Sequence, residues 1–266
     1  MKNSPYIVAP GKKLKLAKRS TDDTGHFKDK KDAKKATEEN LEKLDDLQEV
    51  LYAQAKHAVL IVLQAMDAGG KDGTIEHIFS GINPQGCTVT SFKTPSRLEL
   101  SHDYLWRVHA ACPAKGMIGI FNRSHYEDVL ITRVKDLVPK GVWFRRYEQI
   151  NCFERMLADE GTTIIKFFLH ISKSEQNQRM ESRLQDQRKR WKFNAQDIIE
   201  GESWDNYMEA YEDALSECST KHAPWYVIPA DHKWFRNWAV SDIIVRTLKK
   251  LDLKYPDQQD KPAEPT

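Results

Sequence analysis

Apolar residues gather in five short runs along the chain: Ala58–Leu63, Thr88–Phe92, Met117–Phe121, Thr162–Ile171 and Trp225–Ile228. Each is rich in Val, Ile, Phe and Thr and is bounded by turn-forming residues, which predicts a strand. The runs are continuous rather than alternating, as expected of parallel strands covered on both faces. A longer stretch of helical character follows each one. Alternation of this kind predicts an α/β fold, a three-layer α/β/α sandwich around a central five-stranded parallel sheet. Ahead of the first strand, Leu41, Leu44, Leu47, Val50, Leu51 and Ala55 recur mostly at three- and four-residue steps. That spacing predicts an amphipathic helix from Thr37 to Lys56, capped near Thr37 with Glu38 and Glu39 in its first turn.

Polar stretches divide the remainder. Residues 1–36 read as an N-terminal extension, an arm on the surface or partly disordered. Residues 37–255 form one domain, and 256–266 a frayed, proline-containing tail. Of the 266 residues, 40% are hydrophobic and 30% charged, enough apolar mass for a sizeable core. Lys and Arg number 41 against 39 Asp and Glu, a net charge of +2 that argues against a general nucleic-acid binder. No apolar run approaches the roughly 18 residues of a membrane span, and Met1–Arg19 holds no secretory apolar region. Cys87, Cys112, Cys152 and Cys218 are scattered without metal spacing, so reduced thiols in a cytoplasmic enzyme are expected. Tryptophans such as Trp143, Trp204 and Trp225 read as packing residues. The cluster Trp234–Trp238 has a second reading as a subunit contact.

The chemistry begins where the first strand ends. Gln64-Ala-Met-Asp67-Ala-Gly69-Gly70-Lys71-Asp72-Gly73-Thr74 links a strand to a helix, the context of a phosphate-binding loop. Glycines let backbone N–H groups converge on phosphate oxygens, the helix N-terminus adds its dipole, and Lys71 supplies a mobile charge. The match to GxxxxGK[ST] is imperfect, with Ala65 at the first glycine and Asp72 at the Ser/Thr position. Two carboxylates beside an anion site would repel phosphate. A bound Mg²⁺ removes that conflict, so Asp67 is the candidate metal ligand. The alternative is a tight βα turn whose glycines serve geometry alone.

The third strand runs into Asn122-Arg123-Ser124-His125-Tyr126-Glu127-Asp128, at the carboxyl end where open α/β sheets bind ligands. Arg123 suits a transferring phosphoryl group, and Asn122 can offer a neutral oxygen to a metal or a water. Ser124 is expected to cap the next helix with Glu127 as its capping-box partner, and His125 to pack or hydrogen-bond rather than ligate. After the fourth strand, Gln176, Arg179, Arg183, Gln187 and Arg190 share one helix face. Seven Lys or Arg against three acids between His170 and Lys192 fit either a lid over a polyanion or a solvated face.

These residues together resemble the polyphosphate kinase 2 family. The likeness rests on Ala65–Gly73, on Phe121–Asp128, and on Phe168–Ser172 with Glu175, Gln176 and Arg183, and it extends from about Gln48 to Leu251. It implies a P-loop kinase fold similar to thymidylate kinase, with a helical lid at about 172–200. It also implies phosphoryl exchange between inorganic polyphosphate and nucleotides with Mg²⁺ or Mn²⁺. On this likeness Asp67, Lys71, Arg123 and Arg183 are the catalytic set. Gly69, Gly70, Asp72, Gly73, Thr74, Arg179, Arg188, Lys189 and Arg190 are the phosphate contacts, and Asp67 and Asn122 the metal ligands. Some family members carry Asp where this chain has Asn122. Lys93 and Arg97, after the second strand, are candidate acceptor-nucleotide contacts, with plain surface charge as the other reading. The subgroup resembled accepts nucleoside mono- and diphosphates, so the expected partners are polyphosphate, AMP, ADP and ATP, with guanine nucleotides as further candidates. A homodimer or homotetramer is expected, with no nucleic acid and no membrane as partner. Two other functions stay open at this point: an ATP-dependent nucleoside or nucleotide kinase, and a nucleotide-binding regulator without turnover.

Overall fold

A computed structural model describes residues 4–187 and 203–257. Five strands form the sheet: β1 (Ala58–Ala65), β2 (Cys87–Ser91), β3 (Ile118–Asn122), β4 (Thr162–His170) and β5 (Trp225–Pro229). All pair in parallel in the order β2-β3-β1-β4-β5. Every residue of β1 is buried, and so are those of β5. The edge strand β2 departs from the expected double coverage. It is short and largely exposed, and its Thr88, Thr90 and Ser91 blunt an open edge.

Helices α1 (Lys30–Gln54) and α2 (Lys71–Phe79) lie on one face with the last long helix, here α9 (Lys233–Leu248). The short helices α3 (Arg97–Leu100) and α4 (Trp106–Ala110) follow β2. Helices α5 (Ile131–Val134), α6 (Lys140–Asp159) and α8 (Trp204–Glu217) form the opposite layer, and α7 (Lys173–Gln185) rises from the end of β4. The expected three-layer sandwich is therefore present. Because β1 feeds α2 on one face and β3 feeds α5 and α6 on the other, a crevice opens between the carboxyl ends of β1 and β3.

Helix α1 starts seven residues earlier than its leucine pattern predicts. Asp29 caps it by accepting the N–H groups of Lys31 and Asp32. The added turns bury only Ala33, and Thr37 and Asn40 follow it on the same face, with Asn40 Nδ2 donating to Ser241 Oγ at 3.2 Å. A small or polar contact face leaves no apolar signal to read.

The N-terminal segment is not a loose arm. Val8 N–H donates to the Trp225 carbonyl (2.9 Å) and Val227 N–H to the Tyr6 carbonyl (2.8 Å), so the segment closes the β5 edge. Leu14 and Leu16 are buried, and the Glu212 carboxylate accepts from Leu16 N–H and Lys15 Nζ. Tyr6 meets Phe235 edge-on, while His26 and Phe27 meet Trp238. The aromatic cluster opening α9 thus seats this chain's own N-terminus. Trp143, Trp204 and Trp225 are buried as expected. No disulfide joins the four cysteines. Among the described residues no helix is long and apolar enough to cross a membrane.

Candidate active site

Beyond Ala65 the chain turns through Met66–Gly70 into α2. Ala68 and Gly70 take positive φ (59° and 99°), and the turn closes so tightly that only glycine fits at 69. A Cβ there would stand 2.5 Å from the Ala65 Cβ and 2.8 Å from the Met66 carbonyl oxygen. Ala65, in the place of the first motif glycine, is the last strand residue. Its carbonyl accepts from Lys71 Nζ (2.9 Å) and from the Tyr211 hydroxyl (3.2 Å). Lys71 therefore folds back over the loop. Burial, then the neighbouring Arg123 guanidinium, holds its pKa below the ordinary lysine range. An ammonium so poorly solvated gains most from an arriving anion. Thr74 is wholly buried and donates to the Gly70 carbonyl, so it braces the first turn of α2.

Arg123 reaches the same place from β3. Its N–H donates to the Leu63 carbonyl (3.1 Å), its φ is 62°, and its guanidinium lies 3.1 Å from Asp67 Oδ1. Positive φ at a non-glycine residue stores strain that surrounding structure must hold. Asn122 does not join Asp67. Its amide donates to Asp72 Oδ1 at 2.8 Å, so Asp67 pairs with Arg123 and Asp72 with Asn122 across the crevice. Ser124 accepts from Tyr126 N–H and from Gln64 Nε2. Ser124 caps the next helix as expected, a short 3-10 turn over His125–Asp128, whereas Glu127 does not complete a capping box and bears instead on the Lys71 charge. His125 is buried against Glu154 Oε1 (3.2 Å), the hydrogen-bonding role expected.

Helix α7 stands over the loop, N-capped by Ser172. Gln176 Nε2 donates to the Asp67 carbonyl at 2.9 Å. Arg179, expected on polyphosphate, is instead buried against the loop. It donates to the Ala68, Gly69, Ala230 and Asp231 carbonyls and to Glu175 Oε1. A guanidinium engaged on so many sides acts on the loop rather than in an open groove. Arg183 lies one helical turn further along the same face and is partly exposed. Arg188, Lys189 and Arg190 lie outside the described residues.

Two features escaped the sequence reading. Arg236 is 3% exposed, pairs with the Asn237 side chain, and lies so near Gly70 that a Cβ there would stand 2.1 Å from it. Burial, then Arg179, pushes its pKa down to about 9. Two buried guanidiniums thus back the loop. The second feature is a wholly buried Lys166 in the middle of β4, which donates to Glu154, to the Tyr126 hydroxyl and to the Cys218 carbonyl. It ties the turn after Arg123 to α6 and β4. Only the lone lysine within an apolar run could have pointed to it.

Lys93 and Arg97 are exposed beyond β2. The Lys93 carbonyl accepts from Arg107 (2.8 Å), Ser96 and Glu99 form a capping box on α3, and Trp106 stacks on His102. Neither Lys93 nor Arg97 is drawn to the loop by a bond to it. Among the described residues no group of three or more His, Cys, Asp or Glu converges. Asp67 and Asp72 nonetheless suit a hard cation that takes one or two carboxylates and completes its shell with water and phosphate oxygens.

A family model described as polyphosphate kinase 2 matches residues 27–256. Over 255 residues the chain is 56% identical to the AMP/ADP-polyphosphate phosphotransferase of Meiothermus ruber, covering 96% of each. It is 45% identical to the ADP-polyphosphate phosphotransferase of Rhodopseudomonas palustris, covering 97% of this chain and 93% of that one. The crystal structure of polyphosphate kinase 2 from Arthrobacter aurescens TC1 superposes with a TM-score of 0.92 at 41% identity, covering 97% of this chain and 92% of that one. A chain matched over nearly its whole length, with the loop, the arginine of β3 and the helix above them assembled at one crevice, belongs to the polyphosphate kinase 2 family.

Proposed function

We propose that this chain transfers phosphoryl groups from inorganic polyphosphate to AMP and ADP, reversibly, at the crevice between β1 and β3. The observation that carries the reading is the convergence of Lys71, Asp67 and Arg123 at one strained loop, in a chain so similar to an AMP/ADP-polyphosphate phosphotransferase. Both substrates are polyanions, and the crevice concentrates cations to bring them together. A phosphate oxygen of the nucleotide attacks the terminal phosphorus of the chain. The new P–O bond forms as the bond to the next phosphate's bridging oxygen breaks, and the shortened chain leaves with the electron pair. Such transfer depends on positioning and charge neutralisation more than on covalent participation by the protein.

In this reading Lys71 and the loop N–H groups from Gly70 to Gly73, with Asp72 and Gly73 in the first turn of α2, hold donor phosphates, while the N–H groups of Gly69 and Thr74 donate to the Met66 and Gly70 carbonyls and shape the loop. Arg123 neutralises the transferring group. Arg183 closes from α7, with Arg188, Lys189 and Arg190 further along the chain. Lys93 and Arg97 flank the acceptor, which includes guanine nucleotides in the broadest form of the proposal. Asp67, with Asp72 and the Asn122 oxygen beside it, would hold Mg²⁺ or Mn²⁺, which would neutralise phosphate charge. The working unit is a homodimer or homotetramer in the cytoplasm, and the catalytic unit spans 37–255.

The test is a donor assay: ADP with long-chain polyphosphate and no ATP. ATP must accumulate. If phosphorylation needs a nucleoside triphosphate as donor, the chain is an ordinary nucleotide kinase and the proposal fails.

A further inference from the structure

Lys166 sits in β4 among Ile164, Ile165, Phe167, Phe168 and Leu169, and like them it is buried. An ammonium has three hydrogens to donate, and here each has a taker: the Glu154 carboxylate, the Tyr126 hydroxyl (2.7 Å) and the Cys218 carbonyl (2.7 Å). The Tyr126 hydroxyl in turn donates to Glu154 Oε1 at 2.9 Å, and His125 Nε2 lies 3.2 Å from the same oxygen. Glu154 has no exposure either. Burying two charges is expensive, and well-packed apolar side chains of like volume at 154 and 166 would hold the fold about as well. What apolar side chains could not supply is direction, the fixed hydrogen bonds that converge on Tyr126 and His125.

Those two residues follow Arg123 closely in the chain, and Arg123 needs a firm footing. Its φ of 62° is strained. Its N–H is fixed from the β1 side by the Leu63 carbonyl. On the far side the buried Ser124 accepts from Tyr126 N–H and Gln64 Nε2, so a shift of Tyr126 passes through Ser124 to Arg123. Helix α6, which carries Glu154, also holds the end of the turn, where Arg146 donates to the Asp128 carbonyl at 2.8 Å. The network thus joins the turn after β3 to β4, two strands that do not pair because β1 stands between them. The Arg123 side chain itself is 43% exposed, so the aim of its guanidinium depends on the backbone beneath it.

We infer that Lys166, Glu154, Tyr126 and His125 are positioning residues for phosphoryl transfer, a buried charged clamp that keeps Arg123 in its strained conformation and its guanidinium on the transferring group. The inference rests on the reading that Arg123 serves that group. All four side chains are buried, so they act through Arg123 and not on the phosphates. A turn relaxed by about an ångström would leave both substrates bound, and the loss would fall on turnover, where misplacement of that size is worth about 100-fold.

The experiment is a mutant cycle on the full chain, with kcat and KM measured for polyphosphate and ADP and urea midpoints taken on the same proteins. Tyr126→Phe and Lys166→Met/Glu154→Leu are each made in the wild type and in Arg123→Lys. In the wild type, Tyr126→Phe lowers kcat about tenfold and the apolar pair about 100-fold, with both KM values within about twofold and most of the stability kept. In Arg123→Lys the same changes lower kcat little further, because the guanidinium they aim is already gone. Tyr126→Phe, which deletes a single oxygen, carries the test if the apolar pair fails to fold. A kcat untouched by the network variants overturns the inference. So does a loss repeated in full in Arg123→Lys, since the network then acts on the fold and not through Arg123. An Arg123→Lys enzyme that turns over like wild type overturns the role given to Arg123 and the clamp with it. A wild type that makes no ATP from polyphosphate overturns the donor reading, and this inference falls with it.

Discussion

At the residue scale the loop is held from every side, and each support makes a prediction. Lys71→Ala and Asp67→Ala remove groups that face the crevice without bearing on the core. Both should lower kcat at least about 100-fold with a circular dichroism spectrum and melting curve close to wild type. Gly70→Ala differs, because it forces a side chain to a φ of 99° and drives a Cβ into Arg236. It should cost about 2–3 kcal/mol of stability as well as activity, measured by denaturant unfolding. Arg179→Met leaves the Ala68, Gly69 and Ala230 carbonyls without their donor. It should destabilise by about 3 kcal/mol and raise the KM for the donor, since the loop it shapes is the donor's seat. Asp67 and Lys71 stood out in the sequence through the spacing of a phosphate loop and Arg123 through its place at the carboxyl end of β3, and the structure brings the three to one crevice. Arg236 did not, because it lies more than 160 residues away and reaches Gly70 only through the packing of α9 on α2.

Among the elements, the turn after β3 carries the most information. It delivers Arg123 at positive φ and is then tied down by Tyr126, His125 and Asp128. Burial raises the Asp128 pKa to about 6, against the pull of Arg146. A carboxyl whose pKa is higher folded than unfolded favours the fold while protonated. Its contribution is complete below pH about 4 and is lost as pH rises through about 6. Asp128→Asn should remove that decline, so urea midpoints of wild type and variant should draw apart between pH 4 and 7, with the variant flatter. Beneath the turn, Lys166 and Glu154 form a pair with no exposure on either side. Removing one partner, as in Lys166→Met, should cost about 3–5 kcal/mol, and the double replacement Lys166→Met/Glu154→Leu should recover much of it. The central strands were readable because buried parallel β-structure is mostly apolar, and the exposed edge strand β2 through its Thr and Val. The first turns of α1, before Thr37, were not, because Ala33 is their one buried residue and leaves no apolar stripe.

Across the whole molecule, the sheet's two edges are managed differently. β2 is short and polar, whereas β5 is apolar and needs the N-terminal segment to cover it. Deleting residues 1–28 would uncover that edge along with Phe235 and Trp238. The shortened protein should melt at lower temperature and aggregate at concentrations where the full chain does not. Its polar, lysine-rich composition made this segment read as a surface arm, yet Val8, Leu14 and Leu16 are buried. The architecture as a whole was legible from strand–helix alternation, and it places the loop and Arg123 across one crevice from opposite sides of the sheet. The central claim is that this crevice takes its phosphoryl group from an inorganic chain. Phosphorus NMR of the purified protein with AMP, long-chain polyphosphate and a divalent cation tests it most directly. The account predicts ADP and then ATP resonances growing as the chain's interior signal falls. A spectrum in which the nucleotide stays unchanged until a nucleoside triphosphate is added would contradict it.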